Sequence, residues 1–213
     1  MQNPERGVYL SGIPVKMSKK DLNSLSIDEL GELFPVRLYD FSPDWKNIFR
    51  SEKEKILNLF DKGEIVCIEH IGSTAIPEIK AKPTIDILLE VEESIDISLI
   101  PERLKRIKYI YIPKPENPPP HMMFAKGYSA HGIIGQTYHI HVRFPGEQDE
   151  ILFRDYLVSN PETRAEYEKL KLGLASGNPN NRELYTSGKT SFVKKIISLA
   201  KAENIAIHPN RVS

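Results

Sequence analysis

The chain is predicted to fold as a mixed α+β domain: a central β-sheet flanked by helices, followed by a C-terminal helical segment. Three observations predict it. Segments rich in β-branched and apolar residues cluster between residues 64 and 144, and amphipathic helical patterns lie before and after them. The alternation of strand and helix is too irregular for a doubly wound parallel sheet. No G-x-G-x-x-G fingerprint follows any of the strands. With 213 residues, one domain at 26–205 is expected, with an N-terminal extension at 1–25 and a tail at 206–213.

The elements follow in order. Residues 1–17 lack periodicity and are punctuated by Gly7, Gly12 and Pro14. Ser26-Ile27-Asp28-Glu29 has the form of a capping box, in which the Ser hydroxyl takes the N3 amide and Glu29 reaches back. The helix it opens would bury Ile27, Leu30, Leu33 and Phe34, and Pro35 would stop it. Val36 to Tyr39 reads as a brief strand. Ser42-Pro43-Asp44 opens a second helix, with Trp45, Ile48, Phe49, Ile56, Leu59 and Phe60 at helical spacing. Glu64 to Ile71 (EIVCIEHI) is apolar and β-branched, as a largely buried strand must be, and runs into Gly72-Ser73-Thr74. A loop from Pro77 to Pro83 leads to a second strong strand, Thr84 to Val91 (TIDILLEV).

A helix is predicted over Ile97 to Ile107 and a strand over Tyr109 to Ile112. Five prolines between Pro113 and Pro120 allow only an extended loop. Met122 to Ala125 and the alternating Thr137 to Phe144 are the last strands. Helices then cover Ile151–Ser159, Glu162–Ala175 and Arg182–Glu203, broken by Asn160-Pro161 and Gly177-Asn178-Pro179.

Composition excludes several classes of function. Lys+Arg and Asp+Glu are equal at 29 each, so no global field draws in long nucleic acid or an anionic membrane. No apolar run approaches the length of a membrane span, and the first residues do not form a signal peptide. The sole cysteine, Cys67, lies in an apolar strand and reads as a core residue. A cytoplasmic protein is the expectation.

Chemistry concentrates at two neighbouring features. A buried strand ends in Gly72-Ser73-Thr74, a turn suited to close approach of a phosphate. A dozen residues on, Asp86 stands in an apolar strand, where a carboxylate needs a cation, hydrogen bonds or a sheet-end position. Period two places Asp86, Leu88 and Glu90 on one face, and His139 and His141 on one face of their own strand. The pair of imidazoles suits a metal ion or an anion. Lys82 and Lys126 lie near strand starts and could contact phosphate as point charges. The residues alone also allow a tight turn, a satisfied structural acid and solvated polar positions. Arg154-Asp155 and Arg182-Glu183 read as ion pairs. Ser187-Gly188-Lys189-Thr190 ends like a phosphate-binding loop but lacks its first glycine and its flanking strand.

The pairing of an apolar-Gly-Ser turn with a following Asp-bearing strand resembles the nucleotidyltransferase superfamily. More closely, the chain resembles the GrpB family within it. The matching stretches are Pro43-Asp44-Trp45, Glu69 to Pro77, Ala81 to Leu88, His139 to Val142, Leu152 to Leu157, and Asn181-Arg182-Glu183 with Tyr185 and Lys189. The resemblance implies a nucleotidyltransferase-like fold and a nucleotide or other phosphorylated small molecule as ligand. On this reading Gly72, Ser73 and Thr74 would contact the phosphates, with Lys82 and Lys126, placed by their position near strand starts, as further candidate contacts. The resemblance further implies a divalent metal (Mg²⁺ or Mn²⁺, or Zn²⁺) held by Asp86 with Glu90, His139 or His141. The superfamily's second acid would fall at residue 88, which is leucine. Two functions therefore stand side by side. One is metal-dependent transfer of a nucleoside monophosphate to a small acceptor, with Asp86 catalytic. The other is a nucleotide- or phosphate-binding accessory module without turnover, as befits a domain that some relatives carry fused to dephospho-CoA kinase. A purely structural interaction domain has only the Pro113–Pro120 loop to support it.

Overall fold

In the computed structural model, which describes residues 26–113, 120–146 and 148–203, five strands form one mixed sheet. They are β1 (Ile65–Ile71), β2 (Thr84–Val91), β3 (Ile110–Ile112), β4 (Met122–Ser129) and β5 (Gly132–Arg143), in the spatial order β1-β2-β5-β4-β3. The central pair β2–β5 is parallel and the other pairs are antiparallel. Among the described residues, seven α-helices flank the sheet: α1 (Ile27–Leu33), α2 (Asp44–Leu57), α3 (Ile100–Lys105), α4 (Asp149–Ser159), α5 (Pro161–Gly177), α6 (Arg182–Ser187) and α7 (Thr190–Ala202). The mixed α+β architecture is as the sequence predicts. None of the described helices is long and apolar enough to cross a membrane.

The two faces of the sheet differ in chemistry. One is wholly apolar in its centre: Ile85, Ile87, Leu89, Ile140, Val142 and Phe124 pack against Trp45 and Ile56 of α2 and Ile100 and Leu104 of α3. Each such side chain contributes about 1.5–3 kcal/mol when taken fully from water. The other face carries Asp86, Leu88, Glu90, His139 and His141, and α4, α5 and α7 build a second apolar cluster over it. Leu88 joins the two halves, packing with Ile71 and Ile151. The loop between β1 and β2 is anchored from α5, where Lys171 donates to the Lys80 carbonyl and Glu168 accepts from the Lys80 amide.

Local expectations meet the structure unevenly. The capping box at Ser26 and Glu29 is present in both directions. The strand expected at Val36–Tyr39 is a single bridge, Tyr39 to Ala81, because the polar positions around it have no second strand to pair with. The helix expected over Ile97–Ile107 narrows to a 3₁₀ turn at Ile97–Leu99 followed by α3. Helix Arg182–Glu203 divides at Gly188 and Lys189 into α6 and α7. The hairpin β4–β5 extends beyond the apolar core into Gly-rich residues around 127–135. Most of the Pro113–Pro120 loop, the extension at 1–25 and the tail at 206–213 lie outside the described residues.

Glu69 and His70 fall on opposite faces, as adjacent strand residues must. His70 turns to the apolar side, stacked on Phe49 at 4.9 Å. Thr74 Oγ1 donates to the Thr84 carbonyl and so accepts from His70 Nε2 at 2.9 Å. Burial lowers the imidazole's pKa to about 4, against the partial pull of Asp86. The unfolded chain therefore takes up this proton first. Stability falls as pH drops from about 6.5 towards 4, by about 3 kcal/mol in all if this site acted alone. Urea unfolding at pH 7.5 and pH 4.5 is expected to show a smaller acid loss for His70→Gln than for the parent; equal losses would contradict it.

Candidate metal and phosphate site

The site grows from the parallel pairing of β2 and β5. That register sets Asp86 beside His139 and Leu88 beside His141, so all four side chains share a face. His139 Nδ1 lies 2.9 Å from Asp86 Oδ1. The other ring nitrogen, Nε2, lies 3.0 Å from the Tyr128 hydroxyl, and the two rings stack at 5.7 Å. His141 meets His139 edge to face at 6.5 Å. Burial alone would raise the Asp86 carboxyl. The His139 hydrogen bond and the charges of His141 and Lys82 outweigh it and hold the carboxyl below its usual range.

Gly72 closes the cradle from β1. Its φ is +71°, and a Cβ there would sit 2.4 Å from Asp86 Oδ2. Only glycine lets the turn lie against this carboxylate. Ser73, the next residue, has its hydroxyl 3.5 Å from that of Tyr167 on α5.

Cations approach from the C-terminal helices. Lys82 and Lys189 place their Nζ atoms 5.1 and 4.4 Å from the ring of Tyr185, which is 2% exposed. Arg182, at the start of α6, lies over the rings of Tyr128 (5.5 Å) and Phe34 (5.9 Å). Burial, with Arg182 and Lys189 close by, lowers Lys82 to about 7. Lys189 is lowered too, chiefly by burial, with Asp86 opposing.

The donor set fits a metal ion. Asp86, His139 and His141 each offer one ligand atom, all within 4.8 Å of one another. A 2.9 Å separation between His139 Nδ1 and Asp86 Oδ1 subtends roughly 90° at a ligand distance of about 2.1 Å. Two imidazoles and one carboxylate favour a transition ion such as Mn²⁺ or Zn²⁺ over Mg²⁺. Tyr128 supplies the outer hydrogen bond that would orient His139 as a metal ligand. With Nδ1–H donated to Asp86, Nε2 accepts from Tyr128. A cation held by Nδ1 would reverse the relay, so that Nε2–H would donate.

A family model described as GrpB protein matches residues 35–199. The chain belongs to the GrpB family. It is 36% identical over 167 residues to the glutamate-rich protein GrpB of Alkalihalophilus pseudofirmus, a match covering 76% of this chain and 94% of that protein. It is 34% identical over 180 residues to UPF0157 protein YqkA of Bacillus subtilis, where the match covers 83% of this chain but spans only 50% of the relative. The crystal structure of conserved protein GrpB from Enterococcus faecalis is similar with a TM-score of 0.68 at 31% identity, over 80% of this chain and 100% of that one.

This GrpB chain thus brings together Gly72, Ser73, Lys82, Asp86, His139 and His141. It does not bring three other expected residues. Lys126 is on the opposite face of the sheet, paired with the fully buried Glu52 of α2 beneath Tyr109 and Tyr138. Glu90 is 1% exposed and takes a hydrogen bond from Cys67 at 3.0 Å, about 13 Å along the strand from Asp86 and outside the cluster of ligand atoms. The Thr74 hydroxyl is occupied by Thr84 and His70. Arg182 does not pair with Glu183, which is exposed; it faces the site. Sequence reasoning also missed Tyr128, Tyr185 and Lys189 as site residues. For Tyr185 and Lys189 the signal was the match to the family's C-terminal stretch, which alone says nothing of direction; Tyr128 lies in none of the matching stretches.

Gly72→Ala is expected to cost more stability than Gly63→Ala, by about 1–3 kcal/mol in urea unfolding. Both glycines have positive φ, but nothing lies within 4 Å of a Cβ at Gly63. Equal costs would show that the approach to Asp86 is unimportant. Lys126→Met is expected to destabilise by about 2 kcal/mol, since Glu52 keeps only Lys55. It should leave Mn²⁺ and nucleotide binding in titration calorimetry unchanged; loss of either would restore Lys126 to the site.

Proposed function

We propose that this site binds a nucleoside triphosphate together with one divalent metal and transfers the nucleoside monophosphate to a small-molecule acceptor. The observation that supports it is the convergence of Asp86, His139 and His141 beneath the Gly72-Ser73 turn, with Lys82 facing the same carboxylate. In the reaction, the oxygen of an acceptor hydroxyl forms a bond to the α-phosphorus, the α–β phosphoanhydride bond breaks, pyrophosphate leaves with the electron pair, and the hydroxyl proton passes to solvent. The bound ion would supply Lewis-acid polarisation and charge neutralisation at the phosphate. Asp86 and the two imidazoles would hold that ion, and Tyr128 fixes the ring of His139. Gly72 leaves room for a phosphate oxygen to approach the backbone. Lys82 contributes positive charge, and binding of a polyanion beside it favours its protonated form. The balanced formal charge of the whole chain favours a small acceptor over a long RNA.

A second reading has its own observation. Leu88, fully buried against Ile71 and Ile151, stands where the superfamily's second metal-binding acid would be. A module that holds nucleotide and metal without turnover would need no second acid. Pyrophosphate release separates the two.

Asp86→Asn keeps the shape of the side chain and an oxygen to accept from His139, but removes the charge that anchors the ion. Metal-dependent binding of ATP or another triphosphate, measured by calorimetry with Mn²⁺ or Zn²⁺, is expected to fall at least tenfold, with the thermal midpoint within a few degrees of the parent. A variant that binds like the parent but melts well below it would make Asp86 a structural acid and sink both readings.

A further inference from the structure

Lys82, Arg182 and Lys189 form a group whose charge is not balanced locally. They come from three separate places in the chain: the loop before β2, the first residue of α6 and the junction of α6 with α7. Lys82 and Lys189 are both held against the buried ring of Tyr185. Arg182 is held between Phe34 and Tyr128, with its N–H groups 3.4 Å from the Phe34 carbonyl and 3.5 Å from the Tyr128 hydroxyl. Among the described residues, no carboxylate oxygen lies within 4.0 Å of the charged nitrogens of any of the three. Lys82 and Lys189 face the carboxylate of Asp86, which the proposed metal would itself neutralise.

Three half-buried cations that repel one another cost stability unless a ligand compensates them. Aromatic rings under each hold the head groups in place without neutralising them. We propose that Lys82, Arg182 and Lys189 are a subsite for a polyphosphate chain of two or more phosphoryl groups, with Arg182 and Lys189 as its specificity-determining residues. A single phosphate group brings about two negative charges. With a divalent ion on Asp86, that would leave the three cations in surplus, and each further phosphoryl group adds the charge that balances them. Arg182, planar and fixed by two rings, suits bidentate contact with phosphate oxygens, whereas the two lysines act as point charges. The site is linked to the metal cluster through one chain of contacts: Arg182, Tyr128, His139, Asp86.

This assignment rests on the phosphate reading of the site but not on turnover, so it is tested by binding alone. Titration of the Mn²⁺-loaded protein with inorganic tripolyphosphate at low salt, with titration into protein-free Mn²⁺ subtracted, should show binding that weakens as salt rises. Arg182→Gln and Lys189→Met are each expected to weaken it about tenfold. Arg182→Lys, which keeps the charge and guards against a misfolded variant, should lose less. Lys169→Gln, on an exposed position of α5, should bind as the parent. Absence of tripolyphosphate binding by the parent, or equal affinities across the variants, would overturn the subsite. Orthophosphate binding as tightly as tripolyphosphate would overturn the assignment to a chain. ATP that displaces tripolyphosphate assigns the subsite to a nucleotide's tail; ATP that does not assigns it to inorganic polyphosphate. Tripolyphosphate binding without pyrophosphate release from a triphosphate would leave the subsite standing and the transfer reading refuted.

Discussion

The carboxylate of Asp86 stands on a strand whose other seven residues are all buried. A charge in such a position is tolerated only where the surroundings repay its desolvation, and the surroundings here are arranged to do so. His139 gives it a hydrogen bond, His141 and Lys82 give it charge, and Gly72 gives it room. Each partner constrains something further. His139 must be in register beside it, which requires β2 and β5 to run parallel. Gly72 must lie over it, which fixes how β1 ends. The C-terminal helices must return across this face to bring their cations near. The fold can be read as the set of connections that satisfies one acid.

The parallel register decides which chemistry is possible. Two antiparallel neighbours would place Asp86 opposite one residue from a hairpin partner. The parallel pair instead sets two alternating sequences side by side, Asp86 and Leu88 against His139 and His141. Both imidazoles then reach one acid, while Leu88 closes the far side by packing into α4. The same position cannot be both a ligand and the hinge between sheet and helix. On the proposed reading, the site would therefore take one ion with nitrogen donors, and positive side chains would do elsewhere what a second metal would do.

Much of this was legible in the chain. Period two put Asp86 with Glu90 and His139 with His141, and an apolar strand ending in Gly-Ser pointed to the turn. What period two could not show is where it is interrupted. Lys126 and Tyr128 are two apart and would share a face in a regular strand, yet Lys126 meets α2 and Tyr128 meets His139. Between them the register with β5 shifts at Gly127, whose φ is +91° and where a Cβ would lie 2.4 Å from the Gln136 carbonyl. Lys126 goes to the α2 side by regular alternation with Met122 and Phe124, and the bulge after it turns Tyr128 to the other face as an unpredicted support for histidine. Arg182 was hidden for a different reason. Its neighbour Glu183 offered a ready local partner, and nothing local shows that the helix turns the guanidinium to Phe34 and Tyr128 instead.

The same geometry explains why metal and anion would not act independently. An ion on Asp86 removes the one negative charge that offsets Lys82 and Lys189, so their demand for an anion grows. An anion on those cations in turn lowers the local potential against which a divalent ion must bind. By linkage, whatever factor one adds to the affinity of the other is returned equally. The contact chain from Arg182 through Tyr128 to His139 gives this coupling a second, mechanical component, because the Tyr128 hydroxyl touches both the guanidinium and the ring nitrogen that orients the ligating face. A protein without a second acid can thus still assemble the charge a polyphosphate needs, provided its cations and its metal are filled together.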